Sequence, residues 1–355
     1  MLNRLSPLSQ REARQETAAQ SGPSLNKILI SYLVSLTVLV LLCLGSLALG
    51  SKSLSLSDLL ALSSGDGSIA DRLIVFDLRF SRTVNALLVG AALGASGAIM
   101  QSVIRNPIAD PGVLGISAGA SLGVASGIML LGAAGLWIGL LSSLLGALLA
   151  AGFLFLCAML PSFRSSAVRI TLCGIAFSAV LAGITQGIVL TNDKVLDQFR
   201  FWQVGSLTAR PLEAAAWVAP LVLAGLIFSW FIGGKLNILD LGDDSAQALG
   251  ISVAMVRTSS LLIVALLCGP ATALAGPVAF IGFAVPHMVR LFIGHDTKQV
   301  IRFSALAAPS LLLVCDIIGR LVGHGAEVPV GIVTAVLGSI LLMLLVAFSA
   351  RRKLT

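Results

Sequence analysis

The chain reads as long apolar runs separated by short polar breaks. Residues 28–50 carry no charge, and neither do residues 111–163, a stretch of 53 positions. A helix needs about 20 apolar residues to cross roughly 30 Å of hydrocarbon. The first run therefore predicts one span. The second predicts two, joined by a turn at Gly132-Ala133-Ala134-Gly135. Further spans are predicted at 83–104, 170–192, 214–234, 303–320 and 328–350. The charge-free run 258–289 is the hard case, because as one helix its 32 residues would measure ~48 Å. Gly269-Pro270 and Gly276-Pro277 predict a break there, giving spans near 253–271 and 274–293.

The expectation is an all-α polytopic membrane protein with about ten transmembrane helices in a compact bundle. A β-barrel would need apolar and polar residues in alternation, and these runs are continuous. The organisation predicted is a polar N-terminal arm (1–27), a single membrane domain (28–350) and a short basic tail (351–355). The first apolar run exceeds the ~7–15 residue core of a cleaved signal peptide, so it is expected to stay as an anchor. Gly115, Gly119, Gly123 and Gly127 recur every four residues, and Gly90/Gly94 and Gly183/Gly187 repeat that spacing. Such spacing clears one helix face for a neighbouring backbone.

Composition narrows the class further. Hydrophobic residues make up 57% of the chain and charged residues 11%, with a mean hydropathy of +1.00. A soluble domain carries about 25% charged residues, so a soluble enzyme and a disordered chain are excluded. With ten spans both termini share a side. That side then holds 15 of the 23 Lys and Arg residues and the other holds 8. An excess of Lys and Arg marks the cytoplasmic face, so cytoplasmic termini in a bacterial inner membrane are expected. The five cysteines stand singly in apolar runs, which excludes a CxxC metal or redox motif.

Polar residues inside an apolar chain mark the candidate chemistry. Arg105-Asn106-Pro107-Ile108-Ala109-Asp110-Pro111-Gly112 follows the second span. It is either a short turn or an irregular segment shielded within the protein. Residues 235–252 form the longest polar stretch on the inner side, where Asp243-Asp244-Ser245 can cap a short helix and Leu249-Gly250 can end it. Such a helix suits a cytoplasmic partner; a plain loop is the alternative. Arg79 and Arg82 share a helix face at the outer entry to the second span, with Arg320 at the outer end of the ninth. They either snorkel to the interface or form a basic ring for an acidic surface. Asp316 and Glu327 either pair with Arg320 or make a proton site, which would suit a proton-driven secondary transporter.

Gly115-Ile116-Ser117-Ala118-Gly119 matches GxSxG, yet a nucleophile elbow needs a strand before the serine. His287, His295 and His324 all fall near span ends in this topology. No HExxH motif and no GxxxxGK[ST] loop is present. An ATP-driven transporter of this kind would carry its nucleotide site on another chain.

Long segments resemble the permease subunits of ABC importers for ferric siderophores, haem and cobalamin. They are Arg79-Phe80-Ser81-Arg82, GAALGASGAIMQSVIRNPIADPGVLGISAGASLG (90–123), Trp202 to Leu207, LNILDLGDDSAQALGIS (236–252), AGPVAFIGFAVPHMVRLFIGHD (275–296), Asp316 to Arg320 and Glu327 to Gly331. The resemblance implies a type II importer fold and a second permease subunit, identical or related. It also implies two cytoplasmic ATPase subunits and an extracytoplasmic binding protein. ATP would be bound on the partner, no cofactor would be held covalently, and no nucleic acid is expected. By the same resemblance Arg79, Arg82 and Arg320 would dock the binding protein. Leu239, Leu241, Gly242, Asp243, Asp244, Ala246, Leu249 and Gly250 would seat in the ATPase. Gln101, Asn106, Pro107, Pro111, Gly115, Pro286, His287, Arg290, Glu327 and Pro329 would belong to structural or pathway motifs. Two departures stand out: Phe80-Ser81 replaces a pair that often holds proline, and Gly338-Ser339-Ile340-Leu341 replaces a Gly-x-Pro-Phe-type run.

Overall fold

The computed structural model describes residues 25–50, 68–107, 109–132, 135–160, 167–208, 210–322 and 327–352. The N-terminal arm before Leu25, Ala133 and Ala134 of the predicted turn, Ile108, and the loop tip holding His324 lie outside the described residues.

Ten apolar helices are present among the described residues, as the run lengths predict. They are α1 (Leu25–Ala48), α2 (Ile69–Ile104), α3 (Ile116–Leu131), α4 (Leu136–Met159), α5 (Ala167–Thr191), α7 (Leu212–Asp240), α9 (Val253–Ala275), α10 (Ile281–Ile293), α11 (Thr297–Val322) and α12 (Val330–Arg352). Two polar helices join them: α6 (Asp193–Gln203) and α8 (Asp243–Ala248).

Three boundaries differ from the expectation. The second helix begins at Ile69 rather than 83, because Leu73–Phe80 winds as a π-helix and carries the charged residues Asp77 and Arg79 with it. Gly269-Pro270 does not break α9. Pro270 sits inside the helix and the chain turns only at Gly276, whose φ is 73°. Helix α6 was not expected. Its signal was present: Asn192 accepts from the Lys194 and Val195 N–H groups as an N-cap, and Val195, Phe199 and Trp202 form one buried stripe.

Helix α2 is the centre of the bundle. Nearly every residue from Ser81 to Val103 is buried, and α11, α9, α7 and α10 pack around it. Helix α1 lies at the edge against α11. Lipid is as apolar as leucine, so helices in a bilayer associate through close packing rather than through the hydrophobic effect. Glycine supplies that closeness. A Cβ added at Gly90 would lie 2.5 Å from the Pro309 Cα, and one at Gly97 would lie 1.8 Å from the Gly282 carbonyl oxygen. Gly119 and Gly123 of α3 meet Gly146 and Ser142 of α4 in the same way. Gly183 and Gly187 have no such neighbour among the described residues.

Three irregular segments also meet. A Cβ on Gly205 would strike the Pro277 carbonyl at 2.4 Å, and one on Gly331 would strike the Val204 carbonyl at 2.0 Å. The Ser206 N–H donates to the Ala275 carbonyl at 2.7 Å and the Gly331 N–H donates to Gly205 at 3.0 Å. Non-helical backbone at membrane depth is tolerated only when its polar groups are satisfied within the protein.

Gly97→Ala is expected to destabilise the subunit by about 1–3 kcal/mol, because the Gly282 backbone has to move. Gly139→Ala, which meets nothing within 4 Å, is expected to be neutral or stabilising by up to ~1 kcal/mol. Thermal unfolding of the two variants in detergent checks the contrast.

Candidate functional site

At one end of the bundle, α2 and α11 present facing charges. Asp316 and Arg320 lie one turn apart on α11, and Arg82 approaches from α2. Asp316 pairs with Arg82 at 2.6 Å and with Arg320 at 2.7 Å. Arg82 also pairs with Glu327, which follows the loop after α11. Thr208 Oγ1 donates to the same Glu327 carboxylate at 3.3 Å.

The other donors close the end of α1. The last carbonyls of any helix lack partners within it and carry partial negative charge. Arg79 donates to Leu47 at 2.7 Å and Ala48 at 2.9 Å, and Arg320 donates to Ser46 at 2.8 Å and Leu49 at 3.2 Å. Two arginines from two helices therefore cap a third.

All three arginines are buried within the subunit. Arg79, Arg82 and Arg320 are 4%, 6% and 3% exposed, and each has partners within the subunit. Of the two readings of Asp316 and Glu327, the structure favours pairing over a proton site, although Arg82 rather than Arg320 is the partner of Glu327. Above the cluster lies a cavity of about 360 Å³, lined by Asp77, Arg79, Arg82, Arg210, Arg320 and Glu327 among others. Arg210 and Thr208 were not singled out by the sequence; a lone arginine in a short loop carries no periodic signal.

At the opposite end of the bundle, α8 lies between α7 and α9. Gly242, with φ 115°, precedes it, and Gly250, with φ 79°, follows its last turn. The expected carboxylate cap is not what Asp243 does. Its carboxylate receives Arg105 at 2.5 Å and Arg257 at 2.9 Å, joining α8 to the end of α2 and to α9. Arg105 also donates to the Leu239 carbonyl at 2.5 Å. Leu239 and Ala246 are fully buried, whereas Leu241 and Leu249 are 66% and 63% exposed. Asp244 is exposed beside them. The surface of α8 thus combines a buried anchor with projecting apolar side chains.

The segment after α2 divides between the two readings offered for it. Asn106 and Pro107 are exposed, as in a turn. Asp110 then accepts from the Gly112 N–H at 2.8 Å, Pro111 is buried, and Gly115, with φ 90°, leads into α3. Gln101 of α2 is held at two points of α10: Arg290 donates to it, and it donates to the Phe283 carbonyl at 3.1 Å. Pro286 is buried in α10, and His287 sits mid-helix rather than at a span end. Pro329 is half-buried just before α12 and accepts from the Ile332 N–H. The GxSxG serine, Ser117, stands in helix α3 with no strand before it among the described residues.

Residues 36–348 match the model of the FecCD transport family. The chain belongs to this family. It is 43% identical over 317 residues to the ferric enterobactin transport system permease protein FepD of Escherichia coli strain K12, covering 89% of this chain and 94% of that protein. It is 36% identical to the hemin transport system permease protein HmuU of Yersinia pestis, covering 85% and 91%. A solved inward-facing structure of a metal-chelate type ABC transporter superposes with a TM-score of 0.79 at 25% identity, covering 90% of this chain and 98% of that one. The protein is accordingly a multi-span transport permease and not an enzyme.

Asp316→Asn is expected to lower stability by about 3–5 kcal/mol, because it leaves two buried guanidinium groups without their shared counter-ion. Loss of thermal stability in detergent, measured without any partner protein, checks this.

Proposed function

We propose that this chain is the membrane-spanning subunit of an ATP-driven importer for a ferric siderophore. The observation that carries the reading is the 43% identity to a ferric enterobactin permease across nearly the whole of both chains. The chemistry at the two ends supports it: a cation-lined cavity at one end and an apolar-tipped helix at the other.

In this reading the termini lie in the cytoplasm, because that placement puts most Lys and Arg on the inner side. Leu241, Asp244 and Leu249 then face a cytoplasmic ATPase subunit, one of a pair. Asp243, gripped by Arg105 and Arg257, passes any displacement of α8 directly to α2 and α9. The outer cavity receives acidic side chains of a binding protein that delivers the chelate. A second permease subunit completes the pathway.

The mechanism is a population shift. ATP binding draws the two ATPase subunits together, α8 moves with them, and the bundle exchanges an outward-open for an inward-open arrangement. A loaded binding protein biases this exchange only through its different affinity for the two states.

Proteoliposomes holding the permease with its second permease subunit and ATPase pair should take up ferric enterobactin supplied on its binding protein, with ATP and a protonophore present. Uptake driven by a pH gradient without ATP would overturn the reading in favour of a proton-driven carrier. A second expectation concerns coupling. Asp243→Asn should lower transport per ATP hydrolysed by about tenfold, the effect of ~1.4 kcal/mol, while ATP turnover continues. Parallel measurement of phosphate release and chelate uptake checks it.

A further inference from the structure

The outer cavity holds more cations than the two carboxylates paired with them, Asp316 and Glu327, neutralise. Four guanidinium groups line or underlie it, those of Arg79, Arg82, Arg210 and Arg320. Arg82 and Arg320 share Asp316, Arg82 also takes Glu327, and Arg79 and Arg320 cap α1. Asp77, on the cavity wall, is exposed. Arg210 differs from all of these. Its backbone is fixed, because its carbonyl accepts from both Ser81 Oγ and Asn85 Nδ2. Its side chain is half-buried and makes no ion pair among the described residues. Burial alone lowers its pKa, with no neighbouring carboxylate opposing the shift. A desolvated cation on a fixed backbone, facing an open cavity, is poised for an anion supplied from outside.

We propose that Arg210 is a specificity-determining contact of the outer cavity, receiving a carboxylate of the incoming binding protein. This rests on the docking reading given above. A carboxylate side chain fits the cavity, whose free volume of about 360 Å³ is at the lower end of the range for small-molecule pockets. The arginines already paired from within hold the cavity in shape, and the spare charge of Arg210 discriminates between partners. A charge-assisted hydrogen bond to a carboxylate is planar and two-pronged when an arginine makes it, so lysine should substitute poorly.

The test uses the full transporter in nanodiscs of neutral lipid, titrated with its binding protein at two salt concentrations. Arg210→Gln should weaken docking about tenfold and flatten the salt dependence, with Arg210→Lys intermediate. Glu-to-Gln scanning of the binding protein should find one position whose effect disappears in the Arg210→Gln background. Unchanged docking by Arg210→Gln, with docking still weakened by Arg79→Gln, would overturn the assignment of Arg210 and leave the docking reading standing. Unchanged docking by both would remove the docking reading as well. Docking unchanged but a raised KM for the chelate would show that the anion is the cargo, and would also overturn the proposal. A docking defect of Arg210→Gln that appears only in anionic lipid and is absent in neutral lipid would assign Arg210 to a lipid headgroup instead.

Discussion

Hydrocarbon offers no hydrogen bonds, so each donor and acceptor that the chain carries into the bilayer has to find its partner within the protein. The structure is organised by that constraint. The free carbonyls ending α1 are met by Arg79 and Arg320. The irregular backbone at 204–208 and 276–280 is met by its neighbours across glycines. Asp316, 1% exposed, is met by two guanidinium groups. Where the partner is internal the group holds the fold together. Where it is absent, as at Arg210, the group is available to something else.

The same constraint explains the division between a stiff centre and a looser rim. Helix α2 is in backbone contact with α11 and α10 through Gly90, Gly94 and Gly97, and it carries charged anchors at both ends. Arg82 ties one end of it to α11, and Arg105 ties the other end to α8. One continuous helix therefore links α8 to the Asp316 cluster. Helix α5 has only a narrow buried stripe and leaves Gly183 and Gly187 open, as suits a helix whose other faces meet lipid or a second subunit.

Much of this was legible in the sequence. Charge-free runs located all ten apolar helices, and the polar interruptions located both ends of the site. What was not legible has physical reasons. The start of α2 was placed too late because Asp77 and Arg79 look like the edge of a span, while a π-helical turn carries them on. Gly269-Pro270 looks like a break, yet Pro270 lies inside a continuous helix whose residues from Leu267 to Ala275 are all buried. Periodicity shows which residues the arginines share a face with and not what covers that face. The C-terminal end of α1, Asp316 of α11 and Glu327 cover it here, and α1 lies more than two hundred residues from the two acids. Asp243 was read as a cap because its own helix follows it. Its partners, Arg105 and Arg257, come from elsewhere in the chain.

The long-range bonds at the end of α1 carry a consequence for biogenesis. Ser46 accepts from Arg320, 274 residues further along. The ribosome delivers α1 first and α11 ninth among the apolar helices, so through most of translation only Arg79, arriving with α2, can cap the end of α1. The carbonyls of Ser46 and Leu49 gain Arg320 only when the penultimate membrane helix arrives. A nascent chain halted before that helix would present a half-capped first helix to quality-control proteases, and a completed chain would not.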